Sequence, residues 1–115
     1  PKLTISFNPT QEEALKLFQT HKIFLNPTML EAGHPNLTML EAMAAGLPVI
    51  ANWEMEVTLH GCWRAPRDVF EMNKGLKNIL DNWSNYRKLC ATTAEELSWF
   101  NRTQDLIKIY KEYTL

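Results

Sequence analysis

A glycine-containing loop that runs straight into a helix can hold a phosphate group without any lysine. Residues 27–38, PTMLEAGHPNLT, have this form. Asn36 is a good N-cap, and the helix start beyond it leaves several backbone N–H groups unpaired and carries about half a positive charge. Gly33 permits close backbone approach in the turn that continues through His34 and Pro35. A pyrophosphate could therefore dock at the helix start formed by Asn36, Leu37 and Thr38. The same residues also fit a plain helix cap under a glycine-containing turn, with no ligand at all.

Three side chains near this loop could add chemistry. Glu41 lies one turn into the helix among Leu40, Ala42, Met43, Ala44 and Ala45, so the composition around it predicts a half-buried carboxylate. Buried carboxylates need donors, and a ribose with two adjacent hydroxyls supplies two. The alternative is an acid placed near a helix N-terminus for its dipole. Glu31, on the loop, could meet a sugar, or be one more solvated acid. His34 could donate a hydrogen bond to a phosphate, or stand exposed.

The elements that must position these residues are legible from periodicity. Residues 2–7 (KLTISF) alternate and end in Asn8-Pro9, which predicts a strand. Thr10 and Glu13 form a capping box for a helix that runs to about His21, with Ala14, Leu17 and Phe18 as its apolar stripe. Residues 22–26 (KIFLN) and 47–51 (LPVIA) read as buried strands of a parallel sheet. Between them lies a helix from Asn36 to Gly46, a glycine suited to the C′ position.

Residues 52–60 read as a loop and residues 61–64 as a short edge strand. Two helices follow, one striped by Val69, Met72, Leu76, Ile79 and Leu80 behind Asp68, the next by Tyr86, Leu89, Cys90 and Leu97. Trp99, Thr103, Leu106, Tyr110 and Tyr113 keep helical spacing in a last helix, where they read as core contacts. Strand–helix alternation of this kind implies an α/β fold with a parallel sheet and flanking helices.

Composition narrows the partners. The chain has 115 residues, 45% hydrophobic and 22% charged, which suits one globular domain or part of one, residues 1–115. Its net charge of −1 leaves no basic excess to neutralise a nucleic-acid backbone. No apolar run approaches the length of a membrane span, and the N-terminus lacks a signal-peptide layout, so the expected location is cytoplasmic. Cys62 and Cys90 fit neither a CxxC redox pair nor a zinc pattern and read as small core residues, so no metal ligand is assigned.

Residues 31–51, EAGHPNLTMLEAMAAGLPVIA, resemble the donor-site signature of retaining glycosyltransferases of family 4. That signature runs from a glutamate through a glycine-containing loop to LEAMA, a variable residue, G, another variable residue, and PVIA. Residues 9–28 resemble the family's helix and strand before the signature, and Ser98, Trp99 and Phe100 through Tyr110 resemble its closing SW…Y helix.

The resemblance implies a Rossmann-like parallel sheet, the C-terminal part of a GT-B donor-binding domain in an enzyme that transfers a sugar from a nucleotide diphosphate sugar with retention. It assigns Glu41 to the ribose hydroxyls and the backbone around Asn36, Leu37 and Thr38 to the pyrophosphate. Glu31 becomes the catalytic-site acid facing the sugar. In the family seven residues separate the two glutamates, whereas here the position eight before Glu41 is Gly33 and the acid stands two residues earlier.

No cofactor is implied beyond the nucleotide-sugar donor. The acceptor, a saccharide or a lipid-linked sugar, would be held by an N-terminal domain outside this sequence, so the chain reads as an excerpt that is inactive alone. A non-catalytic nucleotide-sugar-binding module and a domain like that of a sugar-nucleotide epimerase are the rival readings.

Overall fold

The computed structural model describes residues 3, 5, 7, 9–27, 37–52 and 59–113. Helix α1, Gln11–Thr20, starts where the capping box predicts: the Glu13 amide donates to Thr10 Oγ1 at 3.1 Å. Strand β1, Phe24–Asn26, is followed by α2, Leu37–Ala44, and β2, Val49–Asn52. Helix α2 ends in a Schellman motif. The Leu47 amide reaches the Ala42 carbonyl at 3.0 Å and the Gly46 amide reaches Met43 at 2.9 Å, with Gly46 at φ 86°.

Strand β3, Cys62–Ala65, and helices α3, Val69–Asp81, α4, Trp83–Glu96, and α5, Trp99–Tyr113, complete the described residues. Asp68 caps α3 by accepting from the Phe70 amide at 2.7 Å and the Glu71 amide at 3.3 Å.

The three strands form one open parallel sheet in the order β1-β2-β3. Phe24 faces Val49 in register, and Val49 faces Cys62. Successive strand residues point to opposite faces. Val49 and Ala51 of β2 therefore join Met39 and Met43 of α2, Leu59 and Cys90 of α4 in one buried cluster, with Phe24, Leu40 and Cys62 packed on it. Ile50 and Trp63 point the other way, towards α3. The result is a mixed α/β arrangement with helices on both faces of the sheet.

Three expectations about packing are corrected. Leu3, Ile5 and Phe7 belong to no described strand and are exposed, while residues 2, 4 and 6 lie outside the described residues. The third described strand of the sheet is residues 62–65, which pairs with β2 and leaves β1 at an open edge. On α3 only Gly75 and Ile79 are buried, and Val69, Leu76 and Leu80 are exposed. Helix α3 packs mainly on β3 and β2, and its outer flank with Ile23, Leu25 and Ile50 lines an open apolar groove. The aromatic stripe of α5 is exposed as well, at Trp99, Tyr110 and Tyr113, and the main packing partner of α5 among the described residues is α4.

Helix α4 is tied to both ends of the sheet. Trp83 Nε1 donates to the Lys22 carbonyl at 2.9 Å, just before β1, and the Lys22 and Arg87 cations lie 5.9 and 5.3 Å from its ring centroid. Thr93 Oγ1 donates to the His60 carbonyl at 2.6 Å and Cys90 Sγ to Gly61 O at 3.7 Å, just before β3.

Both thiols belong to this core, as their spacing suggested. Burial pushes the Cys62 thiol up to about 12, with the Cys90 thiol adding to the effect and Arg64 opposing it; burial alone pushes Cys90 up to about 11. Unfolded thiols ionise from about pH 9, whereas the folded ones stay protonated. The stabilising difference is therefore complete below pH 9 and is lost as pH climbs towards 11. Denaturant unfolding should give a stability at pH 10 about 2 to 3 kcal/mol below that at pH 8, from roughly 1.4 kcal/mol per thiol per pH unit. The part of the slope due to the thiols should vanish in a Cys62→Ala, Cys90→Ala variant; an identical slope in both proteins contradicts the assignment.

Candidate functional site

Parallel sheets of this type bind ligands beyond the carboxyl ends of their strands. Here that rim consists of Asn26 at the end of β1, Asn52 at the end of β2, Ala65 at the end of β3, and the first turns of α2 and α3. Contact between Asn26 and Met39 puts the entrance of α2 at the tip of β1: Asn26 Nδ2 lies 3.7 Å from Met39 Sδ, in the first turn of the helix. The order β1–α2–β2 thus brings the start of α2 to the strand ends, and the positive end of a helix dipole suits an anionic group.

Of the residues singled out in sequence, Glu31, Gly33, His34, Pro35 and Asn36 lie outside the described residues. Leu37 and Thr38 open α2 and are exposed. Glu41 is exposed too, which corrects the half-buried carboxylate expected from its neighbours. The reason is helical geometry. The buried residues of α2 are Met39, Ala42 and Met43, and at 3.6 residues per turn Glu41 falls on the opposite face. Of its apolar neighbours only the small Ala44 and Ala45 share that face, too little to cover a carboxylate.

Glu41 instead stands in a groove of about 470 Å³ between α1 and α2, lined by Gln11, Ala14, Leu15, Phe18 and Ala44 among others. The groove has apolar walls and two kinds of polar group, the Glu41 carboxylate and the carboxamides of Gln11 and Gln19. An acceptor beside amide donors on an apolar floor can hold a hydroxylated ring, whose faces are apolar and whose edges are polar.

Sequence reasoning missed four polar residues. Gln11 and Gln19 reach the groove only because α1 lies alongside α2, a tertiary fact with no local signal. Asn26 and Asn52 are 3% and 1% exposed, so each ends its strand with a buried carboxamide. Their signal was present: each is the polar residue closing an otherwise apolar run. For Asn26 the thioether is the sole side-chain hydrogen-bond partner among the described residues, and sulfur is a weak acceptor. Burial of an amide so poorly compensated costs on the order of 1 to 3 kcal/mol against an apolar residue of the same shape.

Among the described residues no group of three or more His, Cys, Asp or Glu side chains is arranged to hold a metal ion, and no helix is long and apolar enough to cross a membrane. Compared with family models, with curated proteins and with solved structures, the chain finds no match.

Proposed function

We propose that this chain is the nucleotide-sugar-binding part of a retaining glycosyltransferase of the GT-B type, with a Rossmann-like donor domain. The observation that carries the reading is the entrance of α2 at the carboxyl tip of β1, with an accessible carboxylate one turn later. The resemblance of residues 31–51 to the donor signature of the family supports it independently.

In this reading the helix-start amides at Asn36, Leu37 and Thr38, with the turn through Gly33, His34 and Pro35, receive the pyrophosphate. As the glycosidic bond to the sugar breaks, negative charge grows on the leaving diphosphate. Fixed amides and the α2 dipole stabilise that charge without having to reorganise. Glu41 accepts hydrogen bonds from the two ribose hydroxyls, and its exposure in the groove between α1 and α2 is what a ligand-binding carboxylate requires. Glu31 meets the donor sugar. An acceptor sugar, free or lipid-linked, is presented by a partner domain of the full-length protein.

The test is transfer itself. Full-length protein supplied with UDP- or GDP-sugars and a saccharide acceptor should release nucleoside diphosphate and form a product whose anomeric configuration, read by NMR, matches that of the donor. An inverted product, or no acceptor-dependent release across donors and acceptors, would overturn the reading.

A further inference from the structure

Residues 27–36, which carry the donor-loop assignments, are bracketed by one side-chain contact. The Asn26 carboxamide lies just before the loop, Met39 just after it, and the two meet at 3.7 Å inside the core. We propose that Asn26 is a positioning residue: it clasps the entrance of α2 to the tip of β1. The inference rests on the donor-site reading for its functional consequence, but its structural part stands on this contact alone.

The physical argument is one of misplaced polarity. Asn26 shares its strand face with Phe24 and sits opposite Ala51 in register, beside the cluster of Met39, Met43 and Val49. A leucine has nearly the shape of asparagine and would suit this apolar setting better, because the thioether compensates the amide only weakly. What leucine lacks is a directional link. A hydrogen bond from Nδ2 fixes where the first turn of α2 lies relative to the strand tip, whereas apolar contacts tolerate sliding. A shift of the α2 entrance moves the amides of Leu37 and Thr38, which in the donor-site reading face a pyrophosphate, and misplacement on the ångström scale is enough to impair a binding constellation.

The experiment compares wild type, Asn26→Leu and Met39→Leu in the full-length protein by thermal melting, amide hydrogen exchange and titration with UDP- and GDP-sugars. Asn26→Leu should melt at or above the wild-type temperature, yet exchange the amides of residues 41–44 about tenfold faster and bind the donor about tenfold more weakly, with KM raised more than kcat is lowered. Met39→Leu, which removes the sulfur acceptor and keeps the core apolar, should move exchange and affinity in the same direction and leave the protein folded should Asn26→Leu fail to fold. Unchanged exchange at residues 41–44 in both variants overturns the clasp. If wild type binds no nucleotide sugar while exchange still quickens, the donor reading falls and the clasp survives.

Discussion

Replacing Gly61 by alanine should lower the stability of the domain by roughly 2 to 5 kcal/mol, a large share of the 5 to 15 kcal/mol that holds an ordinary domain together. Two effects combine. Gly61 has φ 90°, a conformation that costs an L-residue about 1 to 2 kcal/mol. A methyl group there would also lie 2.5 Å from Cys90 Sγ and 2.8 Å from the Cys90 backbone nitrogen, so α4 itself must retreat. Such overpacking typically adds about 1 to 3 kcal/mol. Retreat of α4 would also disturb the hydrogen bonds from Thr93 and Cys90 that hold residues 60 and 61 ahead of β3.

Gly46→Ala is the matched control. Its φ of 86° is similar, but the nearest atom to the added methyl is the Arg87 Nε at 3.2 Å, on a side chain that can swing aside. That variant should lose only about 1 to 2 kcal/mol, the conformational part alone. Denaturant unfolding of the two variants decides the matter; equal losses would show that close packing at Gly61 contributes nothing.

Glu41→Ala has the largest expected effect on function. If its carboxylate accepts two ribose hydroxyls, the lost charge-assisted hydrogen bonds should weaken donor binding about 30- to 100-fold, the equivalent of about 2 to 3 kcal/mol. Stability should scarcely change, within about 0.5 kcal/mol, because Glu41 is exposed and takes part in no salt bridge or side-chain hydrogen bond among the described residues. A drop in affinity at constant melting temperature separates a ligand contact from a structural acid. An acid kept only for the helix dipole would behave oppositely, shifting stability by a few tenths of a kcal/mol and leaving affinity alone.

Local signals in the sequence located most elements well. The capping box at Thr10 and Glu13, the glycine at 46 and the cap at Asp68 each act through atoms three or four residues away, so they survive without knowledge of the tertiary structure. Continuous apolar runs likewise marked β1 and β2, but only β2 is covered on both faces as such a run predicts, and Leu25 of β1 is exposed. The weak signal for an edge strand at residues 61–64 matched β3 at 62–65.

Sequence signals failed wherever the answer depended on what covers a face. Leu3, Ile5 and Phe7 alternate as a strand should, but alternation does not say that a face is covered, and all three are exposed. Val69, Leu76 and the aromatics of α5 have helical spacing, and spacing says which residues share a stripe without saying that anything lies over it. Glu41 shows the same limit within the candidate site: Leu40, Ala42 and Met43 belong to other faces, and Gln11, which lines the same groove, comes from a helix 30 positions earlier in the chain. Asn26 was legible as the polar end of a strand, but its contact with Met39 was not.

The most direct test of the central claim, that the α2 entrance and Glu41 together hold a nucleotide diphosphate sugar, is a calorimetric titration of full-length wild type and Glu41→Ala with UDP- and GDP-sugars at fixed salt and pH. Saturable binding by wild type with one of these donors, weakened at least tenfold in the variant at an unchanged melting temperature, is the predicted result. Equal affinities for the two proteins, or no binding by either, would contradict it.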